Sequence, residues 1–270
     1  MERHALISRD GTSIACFVEG AGPPLLLVHG MTFDHETAWA RLARRLRGEV
    51  RLCSIDRRGR GASGDAPSYS FAREVEDVAG AVAWWAGKAG EPVHLLAHSF
   101  GGTIALDAVL ACRSSDLASV MLYEPSISTF DPWPVGAIER MERWLADGER
   151  EVLLRFFFCE VMGMEGRTFG ALRAMPSWGA RLLSAHTIPR EARADSEYTL
   201  DPGRFLGFDV PTLVLAGSVS AVGFAPAARA VHAAITGSSL VVLEGHGHDA
   251  AITAPDVVAR EVLEFVARQA

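Results

Sequence analysis

The chain has 270 residues, enough to close one large α/β domain around a substantial buried core. Hydrophobic residues make up 49% and charged residues 22%, the balance of an ordinary globular domain, and a formal net charge of −7 argues against nucleic acid as a main partner. Cys16, Cys53, Cys112 and Cys159 are scattered and form no C-x-x-C pair, which argues against a zinc or redox motif and fits reduced thiols. The opening Met1-Glu2-Arg3-His4 lacks the apolar core of a signal peptide, and no apolar run reaches membrane-spanning length, so a cytoplasmic protein with no membrane partner is expected.

His4 to Ser8 and Thr12 to Glu19 predict two short strands around a turn at Asp10-Gly11. After Pro23-Pro24 the run Leu25-Leu26-Leu27-Val28 predicts a central strand ending at His29-Gly30-Met31. Ala38 to Arg47 has helical spacing, with Trp39, Leu42, Ala43 and Leu46 on one side. Val50 to Asp56 is the next expected strand, followed by a glycine-rich loop from Arg57 to Pro67 and a long helix from Phe71 to Ala89. The run Val93 to His98 predicts a buried strand, Ser99-Phe100-Gly101-Gly102 a turn, and the residues to about Arg113 a helix. Leu117 to Tyr123 predicts a strand that stops at Glu124-Pro125.

From about Ser126 to Phe208 the pattern changes. Helix-like pieces separated by prolines and glycines carry Trp133, Trp144, Phe156, Phe157, Phe158 and Trp178, and no strand is predicted. An insert of this size between strands reads as a helical lid, residues 126–208, on a core of residues 1–125 and 209–270. Pro211 to Ala216 and Leu240 to Leu243 predict strands on either side of a helix from Phe224 to Ile235. A final helix, Pro255 to Ala267, is expected to begin with Thr253 as its cap. The alternation implies a doubly wound, mostly parallel sheet.

The stretch around Ser99 has the residues of a nucleophile elbow, with Ala97 in place of the usual first glycine. A serine on a sharp strand-to-helix turn stands clear of the sheet, small neighbours let backbone pass close, and the helix behind aims its N-terminal N–H groups at the same spot. In such sheets sites lie beyond the carboxyl ends of the strands. His29, Asp56, Ser99, Glu124 and the loop at His248 all fall there.

Four motifs in order, His29-Gly30, Asp56-Arg57-Arg58-Gly59-Arg60-Gly61-Ala62-Ser63, His98-Ser99-Phe100-Gly101-Gly102 and Gly245-His246-Gly247-His248, resemble those of the α/β-hydrolase superfamily over essentially the whole chain. The resemblance implies the α/β-hydrolase fold with Ser99 as nucleophile, His248 rather than His246 as general base, and the backbone N–H groups of Met31 and Phe100 as the oxyanion hole, their side chains shaping the pocket. Many members place an aspartate after the strand that follows the lid, where this chain has Ser220. Some place the acid one strand earlier, where this chain has Glu124, and Glu124 is taken as the third member; the alternative is a strand-end carboxylate that caps lid backbone. Asp56 and Arg58 are expected to tie the glycine loop through its backbone, His29 to brace the oxyanion turn, and His98 to pack and hydrogen-bond.

The reading that follows is a serine hydrolase, free of cofactor and metal, that cleaves a carboxylic ester, lactone or thioester of an apolar or aromatic small molecule. Trp133, Phe157, Met162, Trp178 and His186 are its expected substrate contacts, and the expected assembly is a monomer or homodimer. Two other readings stay open: a carbon–carbon bond hydrolase, lyase or cyclase on the same site, and a degenerate ligand-binding fold.

Overall fold

The apolar run Pro24–Val28 forms strand β3 and is buried along its length. Leu26 and Val28 enter one core while Leu25 and Leu27 enter another, as the two-residue period of a strand requires. A strand buried on both faces needs helices above and below its sheet. The computed structural model describes residues 1–127, 133–221 and 223–269.

Strands β1 (Glu2–Ile7), β2 (Ser13–Gly20), β4 (Arg51–Ile55), β5 (Val93–His98), β6 (Leu117–Tyr123), β7 (Thr212–Gly217) and β8 (Ser239–Leu243) join β3 in an eight-stranded sheet of order β1-β2-β4-β3-β5-β6-β7-β8. β2 pairs antiparallel with β1 and β4, and all other neighbours pair parallel. Helices α1 (His35–Leu46), α10 (Ala250–Thr253) and α11 (Pro255–Ala267) cover one face. Helices α2 (Phe71–Ala89), α3 (Phe100–Ala111) and α9 (Phe224–Ala234) cover the other.

Two helix starts differ from expectation. α1 begins three residues before Ala38 because Asp34 caps it: its carboxylate accepts from the Thr37 backbone N–H at 2.7 Å, and the Thr37 hydroxyl accepts from the Asp34 N–H at 2.9 Å. Thr253 does not cap α11. It closes the short α10, with its hydroxyl bonded to the Asp249 carbonyl at 3.1 Å, and Ala254 stands at the cap ahead of Pro255.

Between β6 and β7 lie α4 (Ala137–Ala146), α5 (Arg150–Phe156), α6 (Gly166–Arg173), α7 (Trp178–Ser184), α8 (Thr187–Glu197) and a 3-10 turn at Pro202–Phe205. Among the described residues this stretch holds no strand. α5 runs on into a wide π-helical turn, Phe157–Val161, a geometry that swells the helix at that point. The insert packs on the sheet domain through α8 against α3. A buried ion cluster fastens it further: Glu191 of α8 meets Arg60 and lies 3.2 Å from Arg57, which also pairs with Glu74 of α2. No helix among the described residues is long and apolar enough to cross a membrane.

Candidate active site

Ser99 joins β5 to α3 with φ +55° and ψ −130°, a conformation that a residue with a Cβ rarely adopts. Backbone bonds hold it there. Its N–H donates to the Tyr123 carbonyl at 3.0 Å, and its carbonyl accepts from Gly102 and Ser126 at 2.8 and 3.2 Å. The glycines are needed for close approach: a Cβ on Gly101 would lie 2.3 Å from the His29 carbonyl oxygen, and one on Gly30 would lie 2.7 Å from the Ser99 Cβ. Thus the turn after β3 and the elbow after β5 press directly on each other.

Glu124 ends β6 with φ +45° while its N–H still pairs with Leu215 of β7. That turn points its carboxylate across the top of β7, where it is fully buried. One oxygen, Oε1, accepts from the Gly217 N–H at 2.6 Å and the Ser220 hydroxyl at 2.5 Å. The other, Oε2, lies 2.7 Å from His248 Nδ1. The alternative of a carboxylate capping insert backbone is not what these partners describe. Ser220, at the position where the resemblance led to an expected aspartate, hydrogen-bonds the Glu124 carboxylate.

The loop that carries His248 is pinned from below. The Tyr123 hydroxyl donates to the Gly247 carbonyl and accepts from the Ala250 N–H at 3.2 Å. His98 Nε2 lies 3.0 Å from the His248 carbonyl and must be its donor. Burial holds the His98 pKa well below the usual imidazole value, with the nearby His248 adding to the shift, so it serves as a neutral donor. The Phe224 ring stacks on the His248 ring at 3.9 Å and 22°. Nothing local in the sequence distinguishes Phe224 from a core residue at the start of a helix.

The turn His29–Thr32 is equally constrained. His29 Nδ1 donates to the Gly30 carbonyl at 2.9 Å while its Nε2 accepts from the Arg57 N–H at 3.1 Å, so His29 braces this turn as expected. Arg57 and Arg60 add Nη1 contacts to the same carbonyl at 3.3 and 3.5 Å. Burial, followed by the neighbouring arginines, keeps the His29 imidazole neutral by lowering its pKa well below the usual value. Asp56 ties the glycine loop through backbone, accepting from Ala62 N–H at 2.7 Å. Arg58 departs from expectation. It bonds the side chains of Asp77, at 2.7 and 3.0 Å, and Asp10, at 2.9 Å, and so ties the loop to α2 and to the β1–β2 turn.

Ser99 and His248 open onto one cavity of about 370 Å³, a size suited to a small organic molecule. Of the expected contacts, Met31, Trp133, Phe157 and Met162 line it. Trp178 and His186 do not. Trp178 packs edge-on against Phe169 at 5.6 Å, and His186 lies 3.3 Å from Asp65 of the glycine-rich loop. The Phe100 side chain is also outside the wall, buried against Phe71 and under Arg57, so only its backbone faces the site. Phe33, Phe158 and Asp195 are wall residues that the sequence reading missed. The Asp195 carboxylate accepts from the Ser126 hydroxyl and from Trp133 Nε1, the latter at 3.2 Å. Among the described residues no group of three or more His, Cys, Asp or Glu side chains is placed to hold a metal ion.

Residues 25–261 match the family model described as the alpha/beta hydrolase family. An alpha/beta hydrolase from Sphaerobacter thermophilus is 30% identical and superposes with a TM-score of 0.84, the match covering 97% of this chain and 99% of that one. The esterase RhEst1 from Rhodococcus sp. ECU1013, at 24% identity, has a TM-score of 0.74 with 100% of both chains covered, a likeness of fold alone. Lipase LipV of Mycobacterium tuberculosis is 31% identical over 109 residues, a stretch that spans 40% of this chain and only 40% of the lipase.

Proposed function

Since this chain belongs to the alpha/beta hydrolase family, we propose that it is a serine hydrolase cleaving a carboxylic ester, lactone or thioester of an apolar small molecule through an acyl-enzyme. The observation that carries this is the 2.7 Å contact between Glu124 and His248 Nδ1, with Ser99 and His248 on the same cavity. A proton on Nδ1, held by the carboxylate, leaves Nε2 as the basic nitrogen. Nε2 takes the Ser99 proton as the oxygen attacks the carbonyl carbon. The charge that develops on the carbonyl oxygen is met by the Phe100 N–H at the start of α3 and by the Met31 N–H. The resulting imidazolium gives its proton to the leaving alcohol or thiol. A water then repeats the sequence on the acyl-enzyme. The lipase that matches over part of the chain favours an ester as the substrate bond.

Helices α4 to α8 act as the lid in this reading, and their Trp133, Phe157 and Met162 form an apolar wall for the substrate. A fluorophosphonate probe tests the nucleophile. Ser99 is expected to be labelled in the folded protein, and a series of p-nitrophenyl esters from acetate to decanoate is expected to be turned over. Ser99→Ala abolishes both. Folded protein that takes no label at Ser99 would remove the basis of the proposal, while labelling without ester turnover would favour the carbon–carbon bond reading.

A further inference from the structure

Arg181 of α7 is 4% exposed and, among the described residues, forms no ion pair. Its guanidinium lies 4.5 Å from the Phe33 ring and 5.6 Å from the Phe158 ring, two walls of the cavity. One nitrogen, Nη1, donates to both oxygens of Thr32: the carbonyl at 3.2 Å and the hydroxyl at 2.7 Å. Its Nε is buried with no hydrogen-bond partner among the described residues. The charges of Asp249 and Asp34 act on it only at a distance, and a buried cation with no ion-pair partner is costly to keep, so the contact that it makes calls for a role.

Thr32 supplies the reason. It has φ +63°, a left-handed conformation that is strained for a β-branched residue and persists only where the surroundings impose it. It directly follows Met31. The other end of the same turn is already fixed, because His29, Arg57 and Arg60 all converge on the Gly30 carbonyl. In a trans peptide the C=O and the following N–H point in opposite directions, so donors gathered on the Gly30 oxygen turn the Met31 N–H away from them. The arginine contacts, at 3.3 and 3.5 Å, are long enough to give. If Thr32 relaxes to negative φ while α1 stays in place, the Gly30–Met31 peptide is pulled round and its N–H with it.

We propose that Arg181 is a positioning residue for the oxyanion hole: reaching from the insert, it holds Thr32 in its left-handed conformation and so aims the Met31 N–H at the reacting carbonyl oxygen. This rests on the serine-hydrolase reading of the site. It makes the insert part of the machinery that stabilises the transition state as well as a cover over the substrate, since undocking α7 would release the turn.

The experiment compares wild type, Arg181→Met, Arg181→Ala and Thr32→Val on a p-nitrophenyl ester, with kcat and KM determined separately and thermal unfolding followed in parallel. Arg181→Met is expected to lower kcat by roughly 10- to 100-fold, the scale of a misaimed oxyanion donor, with KM held within about threefold. Millimolar guanidinium is expected to restore part of the lost kcat to Arg181→Ala, whereas equal sodium chloride or urea does nothing. Thr32→Val, which removes the hydroxyl and leaves the cation in place, covers the case in which the Arg181 variants do not fold, and is expected to lower kcat in the same way. The proposal is overturned by an unchanged kcat in Arg181→Met or Thr32→Val, by a rise in KM alone, which would assign Arg181 to substrate binding, or by a kcat loss that guanidinium never repairs. A wild type that neither labels nor turns over ester sinks the serine-hydrolase reading together with this inference; a reactive wild type beside an indifferent Arg181→Met sinks this inference alone.

Discussion

Replacing Glu124 by glutamine probes the centre of the proposed chemistry with the smallest change in shape. The two sides of this carboxylate are not equivalent. Oε1 faces two donors, the Gly217 N–H and the Ser220 hydroxyl, and Oε2 faces His248 Nδ1. The Gly217 N–H cannot turn, so the amide oxygen of a glutamine must take the Oε1 side, and its NH2 group then faces His248. An NH2 only donates, which forces Nδ1 to accept and moves the imidazole proton to Nε2. The base is then protonated at the nitrogen that should receive the Ser99 proton, and the negative charge that stabilises the imidazolium is gone. Together these are expected to lower kcat by about 10³- to 10⁴-fold, or about 4 to 5.5 kcal/mol in barrier. Turnover of a p-nitrophenyl ester and the rate of fluorophosphonate labelling should fall together, while unfolding in urea shows the protein still folded. Ser220→Ala leaves the Gly217 bond and the charge in place and is expected to cost about tenfold or less, on the scale of one hydrogen bond. Glu124→Gln within tenfold of wild type, or a Ser220→Ala loss that exceeds it, would refute the assignment of the acid.

Gly30→Ala places a Cβ 2.7 Å from the Ser99 Cβ and 3.2 Å from its Oγ; the displaced nucleophile is expected to react with the fluorophosphonate at least about 100-fold more slowly, and a rate within threefold of wild type would show that the two turns are not in contact. His94, on β5, is bonded to Ser119 at 2.8 Å, and burial depresses its pKa to about 4. The imidazole is neutral in both states above pH 6.5; below that the unfolded chain takes up a proton that the folded one refuses, so stability falls as the pH drops toward 4, by up to about 1.4 kcal/mol per pH unit. Urea unfolding at pH 7, 6 and 5 should show a shallower slope for His94→Gln, with His29 and His98, lowered in the same direction, supplying the remainder. An undiminished slope would mean that His94 is protonated within the fold.

Much of the site was legible before any coordinates because its parts are local. Ser99 is marked by a strand, a turn and a helix within a dozen residues, and the strand-end positions of Glu124 and His248 follow once the parallel alternation is read. What was missed lies where helices meet. Trp178 and Trp133 read alike as apolar residues of the insert, yet only Trp133 lines the cavity. Each residue turns a helix side chain by about 100°, so one residue of drift in a helix boundary sends an aromatic ring to another face. Sheet register offers no such freedom, which is why the expected strands match the sheet while the expectations for the insert divided. Arg58 shows the same limit: a loop arginine has backbone acceptors beside it in sequence, but Asp77 and Asp10 were placed nearer by the packing of α2 and the first hairpin.

By itself the order of residues determined an alternating βα chain whose strands end in a serine, a glutamate and a histidine, because hydrophobic period and turn chemistry are written over short windows. Only the tertiary structure decided that Ser220 supports the glutamate instead of replacing it, that His98 and Tyr123 hold the histidine loop, and that Arg181 reaches Thr32 across 149 positions of chain. Those contacts depend on how whole elements pack in three dimensions, and no local pattern encodes the distance between two elements that meet only when the chain has closed.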